Sequence, residues 1–214
     1  MANKDWGGNS KTVFSTLGAS NHTEHERAEH DYYATEPLAA DLICGVETFN
    51  GGIWENCCGE GFLSKELIKC GYNVVSTDLI DRGYGTGGLD FFECTEALAP
   101  NIVTNPPYSH AKEWVEHSLE LLNDGGKLAL FLPIQFLESE SRRELFKNYP
   151  PKTVYVCVNR VVCGINGDFS AKDSKGNTIY NKDGTPKKVS SARCYAWFVW
   201  EKGSYGAPVI KWIN

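Results

Sequence analysis

Apolar residues fall along this chain in two rhythms: short dense runs, and stretches where they return every three or four positions. Residues 52–58 read as a buried strand, followed by a glycine turn and a helix over 62–69 that Gly71 closes. Residues 73–78 and 102–104 read as two further strands. Trp114, Val115, Leu119 and Leu122 then recur at helical spacing within 110–122, and Gly125-Gly126 ends that helix. Residues 127–133 form a strongly apolar strand, and 139–147 a short helix carrying Leu145 and Phe146. The valine-rich alternation of 153–162 and the aromatic run of 192–201 predict the last strands. Upstream, 37–44 predicts an amphipathic helix with Leu38, Leu42 and Ile43 on its apolar face. Thr35 would be its N-cap, with Glu36 and Pro37 in the first turn.

Strands that alternate with helices imply an α/β fold with a mostly parallel sheet and helices on both faces. No helix separates the final pair, so they predict an antiparallel hairpin at one sheet edge. Ligands in such sheets sit at the carboxyl ends of strands, which points to Cys58, Asp78 and Asn105. A polar stretch over 164–190 contains Lys182-Asp183-Gly184-Thr185, a hairpin-turn sequence. The expected organisation is an N-terminal arm at 1–30 and one catalytic domain at 31–214, with 164–190 as a polar insertion. No internal repeat or low-complexity tract interrupts it.

Composition narrows the class. The 214 residues, 42% hydrophobic and 22% charged, suit one sizeable core. No apolar run is long enough to span a bilayer, and Met1 to Trp6 is polar, so the expectation is a cytoplasmic protein with no membrane partner. The eight cysteines include no Cys-x-x-Cys pair, and Cys57 and Cys58 would point to opposite faces of a strand. His22, His25 and His30 read as an exposed polar face, and no metal site is expected. The net charge of −6 counts against a generic nucleic-acid binder, although a local basic stripe can make phosphate contacts.

Four motifs carry chemistry. Glu55-Asn56-Cys57-Cys58-Gly59-Glu60-Gly61 runs from a strand through a Gly-x-Gly turn into a helix; the glycines let backbone approach a ligand closely. Asp78 ends the next strand, where an acid can accept both hydroxyls of a ribose; a turn cap is the plainer alternative. Asp90 followed by Phe91 could bind an adenine amine and cover its ring, or end a core strand. Asn105-Pro106-Pro107-Tyr108 offers an amide oxygen and a proline-rigidified carbonyl to one planar NH2 group, with a tyrosine to stack on its ring. Two acceptors aligned on an adenine N6 would stabilise the positive charge that develops as it attacks a methyl donor.

On these stretches, together with Asp31-Tyr32-Tyr33-Ala34-Thr35-Glu36-Pro37, the chain resembles class I S-adenosylmethionine-dependent methyltransferases, specifically the N6-adenine DNA methyltransferases of phages and bacteria. The resemblance covers about residues 31–200 and implies a Rossmann-like domain with a seven-stranded sheet. It implies that Tyr33 and Thr35 touch the methionine end of the cofactor, and that Glu55, Cys57, Gly59 and Gly61 cradle it. Asp78 with Leu79 would hold the ribose, and Asp90 with Phe91 the adenine. Asn105, also against the cofactor, would grip the target amine with the carbonyl of Pro106, braced by Pro107, and Tyr108 would stack on the base. DNA is the implied partner, its adenine flipped out or supplied single-stranded. Phe169 could cover the flipped base from the other side, with Lys172, Lys175 and Arg160 on the phosphates. Arg142, Arg143, Lys147 and Arg193 could extend that stripe. Larger members carry a separate target-recognition domain, for which these 214 residues leave no room. The same motif also serves RNA adenines and protein glutamine amides, and a non-catalytic binding module is a further alternative.

Overall fold

The computed structural model describes residues 34–164, 168–173, 175–189 and 193–214. The predicted arm at 1–30, its three histidines and Tyr33 lie outside the described residues.

One sheet of seven strands forms the spine: β2 (Ile53–Glu55), β3 (Val74–Ser76), β4 (Asn101–Thr104), β5 (Lys127–Pro133), β6 (Thr153–Cys157), β8 (Tyr195–Glu201) and β9 (Val209–Ile213). Their spatial order is β3-β2-β4-β5-β8-β6-β9. A separate two-residue pair, β1 (Ala34–Thr35) and β7 (Cys163–Gly164), runs antiparallel. Among the described residues four α-helices flank the sheet: α1 (Leu38–Cys44), α2 (Phe62–Lys69), α3 (Ala111–Leu121) and α4 (Arg143–Asn148). Among the described residues no helix is long and apolar enough to cross a membrane.

The strand alternation sorts the core into two layers. Ile53, Val103, Ala129, Phe131 and Trp197 face one way and meet Ala39, Ile43, Leu63 and Leu67 of α1 and α2. Their neighbours Trp54, Ile102, Leu128, Leu130 and Phe198 face the other way and meet Trp114 and Val115 of α3 and Leu145 of α4. Each fully buried large side chain contributes roughly 1.5–3 kcal/mol of hydrophobic stabilisation. Buried tryptophans keep their ring N–H satisfied: Trp54 donates to Thr77 Oγ1 at 2.9 Å and Trp197 to the Ala39 carbonyl at 2.8 Å.

Several sequence expectations are corrected by this topology. The antiparallel reversal exists, but not at an edge: β8 lies between β5 and β6 and pairs antiparallel with both. Six consecutive buried residues of β8 explain this, because an edge would wet part of that surface. The edge on that side is β9, parallel to β6, with Ile210 and Trp212 exposed. Pattern reading missed β9 because its apolar residues do not mark a buried face. The predicted strand over 153–162 ends at Cys157, and the chain re-enters strand pairing only at Cys163. Thr35 is not the cap of α1: its backbone pairs with Cys163, and Pro37 takes the cap position.

The position of the site is set by chain order. From β2 the chain steps outward to β3, then crosses back to β4 on the other side of β2. The strand order therefore reverses between β2 and β4, which opens a crevice at their carboxyl ends. The register Trp54↔Ile102 sets those ends side by side.

Candidate active site

A cleft of about 770 Å³ opens at that crevice. Its wall takes residues from five stretches: Ala34 and Thr35; Glu55 to Cys58 with Phe62 and Leu63; Asp78 to Phe92 in part; Asn105 to Trp114 in part; and Arg193. All four chemical motifs of the sequence thus converge.

The glycine turn is built by close packing. Gly59 and Gly61 have φ of 54° and 79°, the left-handed region that glycine enters without steric cost. A Cβ on Gly61 would lie 2.3–2.5 Å from the ring of Tyr84, so this glycine supports the loop over 78–89. Neither glycine is in the cleft wall; Cys57, Cys58, Phe62 and Leu63 form it here. The Glu55 carboxyl is buried at 2% exposure and accepts from the Ser64 hydroxyl. Burial pushes it up to about 8, against the lowering effect of the Ser64 bonds. Burial likewise pushes the Cys57 thiol up, so it stays neutral.

Asp78 and Leu79 line the same cleft, Leu79 at 57% exposure. The carboxylate accepts from Gly59 N at 2.8 Å, Ile80 N at 2.9 Å and Arg82 Nη1 at 3.2 Å. It ties the glycine turn to the following loop as well as facing the cleft. Arg82, whose side chain lines the wall beside it, was not singled out from sequence.

Asp90 caps a short 3-10 turn, Phe91–Glu93, by accepting from Phe92 N at 2.9 Å. The two phenylalanines then divide their roles. Phe91 is 2% exposed and stacks on Trp114 with centroids 4.6 Å apart, while Phe92 keeps 41% of its surface and closes on the edge of Trp114 at 5.0 Å. Both border the cleft. His117 Nε2 lies 3.1 Å from the Phe91 carbonyl and steadies the turn.

Asn105 comes directly after β4. Its Nδ2 donates to Thr35 Oγ1 at 2.9 Å and approaches Cys163 Sγ at 3.9 Å, so partners on β1 and β7 fix the plane of the amide. Pro106, Pro107 and Tyr108 continue along the wall. Tyr108 tilts against Tyr195 at 6.2 Å, and burial holds its hydroxyl well above the ordinary phenol range.

Apart from Tyr108 and Arg193, the residues expected to cover the flipped base or meet the phosphates lie outside this wall. Phe169 packs edge-on against Phe62, with centroids 5.9 Å apart, and stands one side chain behind the cleft. Lys172 bonds to Asp168 and Thr178, both at 2.8 Å, and Lys188 pairs with Glu36. Lys175 and Arg160 are exposed. The hairpin turn at 182–185 is present, closed by Asn181 N to the Thr185 carbonyl at 2.8 Å. Arg142 bonds to the carbonyls of Phe136, Gln135 and Glu138, so it braces a turn instead of extending a stripe. Arg193 does reach the cleft wall.

Sequence reasoning gave Asn56 and Trp114 no role in the site, naming them only within a motif and a helix face. Asn56 is 2% exposed, its Oδ1 accepts from Trp114 Nε1 at 3.1 Å, and its Nδ2 is a buried donor with no protein partner. The signal was available: Asn56 shares the strand face of Trp54, which points at α3.

No family model matches the sequence, and no curated protein is similar enough to match. Solved structures do share its fold. A protein from Vibrio vulnificus, described as a modification subunit of a type I restriction enzyme, superposes with a TM-score of 0.50 at 11% identity, over 93% of this chain and 48% of that one. A Listeria monocytogenes protein described as a class I S-adenosylmethionine-dependent methyltransferase gives 0.47 at 11% identity, over 94% and 70%. The type IIG restriction endonuclease BpuSI gives 0.46 at 16% identity; there the match covers 78% of this chain but only 24% of the larger one.

Proposed function

We propose that this chain transfers a methyl group from S-adenosylmethionine to the N6 amine of an adenine in DNA. The observation that carries the reading is the meeting, in one cleft, of Asn105 and Pro106 with the Cys57-Cys58 turn and Asp78.

The donors and acceptors of the wall fit such a cofactor. Asn56 Nδ2 is a buried donor, and a purine ring offers nitrogen acceptors. Leaving such a donor unmatched costs about 1–3 kcal/mol, so a ligand that matches it gains that amount. Phe92 and the Phe91–Trp114 stack suit a flat ring, and Asp78 suits the hydroxyls of a ribose. Glu55, once ionised, suits the positive charge of an ammonium or sulfonium group. The volume lies in the range of small-molecule sites, roughly 300–1,000 Å³.

S-adenosylmethionine supplies a methyl group activated by its sulfonium. Asn105 Oδ1 and the Pro106 carbonyl accept the two hydrogens of the target amine and turn its lone pair toward that methyl carbon. Because both acceptors are fixed beforehand, they stabilise the positive charge that grows on N6. No side chain needs to remove a proton before attack: as the N6–carbon bond forms the sulfur–carbon bond would break, its electron pair staying on sulfur as a neutral thioether, and the N6 proton would then pass to solvent. Tyr108 stacks on the base, which must leave its duplex or arrive single-stranded. Support for a DNA target comes from the Vibrio vulnificus protein, whose fold this chain shares and whose description is that of a modification subunit.

The test is transfer of labelled methyl to adenine-containing DNA, with RNA and protein acceptors in parallel and Asn105→Ala beside the wild type. Label on N6 of DNA adenine, lost by at least about 100-fold in the variant, is expected. Equal labelling by both proteins overturns the assignment of Asn105, and label confined to RNA or protein overturns the DNA target.

A further inference from the structure

The Asn105 amide is gripped by two short strands. β1 and β7 pair antiparallel with Thr35 opposite Cys163, so one two-residue ladder delivers a hydroxyl and a thiol to the same amide. Cys163 Sγ also shares a hydrogen bond with the Tyr108 hydroxyl at 3.6 Å, a normal separation for sulfur. It is not part of the cleft wall.

We propose that Cys163 is a positioning residue that holds the Asn105 amide and the Tyr108 ring in register for methyl transfer. This rests on the methyl-transfer reading of the site. A sulfur atom suits the task. Its diffuse lone pairs accept from the amide N–H at 3.9 Å while the atom shares a hydrogen bond with the phenol at 3.6 Å. Burial pushes the thiol up to about 11, so it remains a neutral contact and not a nucleophile. The ladder that carries it is itself anchored, because Glu36 accepts from Val162 N at 3.2 Å and Val162 O accepts from Glu36 N at 3.1 Å. Cys163 therefore acts through Asn105 and Tyr108, from outside the cleft wall. A displacement of the amide by a fraction of an ångström spoils the two-acceptor geometry.

Cys163→Val removes the hydrogen bonds at similar volume; Cys163→Ala checks that bulk is not the cause, and Cys163→Ser restores a polar partner. Exposed Cys194→Ser serves as the control. In the Val and Ala variants kcat on DNA is expected to fall about 10- to 100-fold. The dissociation constant for S-adenosylmethionine, measured by calorimetry, should stay within about twofold, since Cys163 is outside the wall. Cys163→Ser should recover most of the rate. Without cofactor, the side-chain NH2 resonance of Asn105 should shift and exchange faster in the Val and Ala variants, and less so in Ser. Unchanged kcat and an unchanged Asn105 resonance in Cys163→Val overturn the proposal, as does an equal loss in Ser and Val. If Asn105→Ala itself keeps full turnover, the methyl-transfer reading fails; an inactive Asn105→Ala beside a fully active Cys163→Val removes Cys163 alone.

Discussion

Thr35 Oγ1 and Asn105 Nδ2 lie 2.9 Å apart although the two residues are 70 positions apart in the chain. The contact gives Thr35 a different task from the one its sequence neighbours suggest. Thr35→Val keeps the shape of the side chain and deletes the acceptor. It should lower kcat on DNA about tenfold or more by freeing the amide to rotate. The check is steady-state kinetics beside the Asn105 side-chain resonance; a full rate with an unmoved resonance would show that the hydroxyl is dispensable.

Glu55 sets a pH dependence. Its folded value is raised to about 8 from an ordinary 4.5. Between those pH values the folded state holds a proton that the unfolded chain has lost. Stability from this group is therefore full below about 4.5 and falls as pH rises toward 8. Glu55→Gln should flatten that decline in denaturant melts run from pH 5 to pH 8. A bound cation favours the ionised carboxyl, so affinity for S-adenosylmethionine should rise with pH up to about 8 in the wild type. Titration calorimetry in buffers of different ionisation heat should record proton release, smaller in the Gln variant.

Gly61 is the tightest position of the turn. Alanine there meets a left-handed backbone, costing roughly 1–2 kcal/mol, and the Tyr84 ring, costing roughly 1–3 kcal/mol more. The melting temperature of Gly61→Ala should drop by about 5–15 °C. Adding Tyr84→Ala should relieve only the steric share, so the double variant should be more stable than the sum of the single losses predicts.

Asn56→Asp retains an acceptor for Trp114 Nε1 and removes the unmatched donor. Calorimetry should show S-adenosylmethionine binding weakened by about tenfold or more, with the fold intact by near-ultraviolet dichroism. Unchanged affinity would mean that Nδ2 does not meet the cofactor.

Much of the site was legible because it sits where short-range patterns end. Short apolar runs at Ile53-Trp54 and Ile102-Val103 marked buried strands, and the loop at the carboxyl end of such a strand is a ligand-binding position by topology alone. Asn105-Pro106-Pro107-Tyr108 and the Gly59-Glu60-Gly61 turn could thus be placed from the sequence. The outcome of strand pairing was not legible. Two-residue strands have no period, so nothing in the sequence announced that Thr35 would face Cys163. Phe91 and Phe92 are chemically identical neighbours; only the cap from Asp90 settles which ring is stacked inside and which is left at the surface. The interior place of β8 came from its insertion between β5 and β6, a pairing that no local pattern announces, and the edge fell to β9, which carries too little buried surface to register as a pattern.

Glu36 and Val162 bond across a sequence separation of 126. A nascent chain leaving the ribosome therefore has its acceptor amide long before it has the thiol that aligns it. The sheet can begin to condense from β2 to β5 during synthesis, yet closing so long a loop comes late and carries its own entropic cost. A fragment that stops short of residue 163 would own the four-residue motif and still lack its brace.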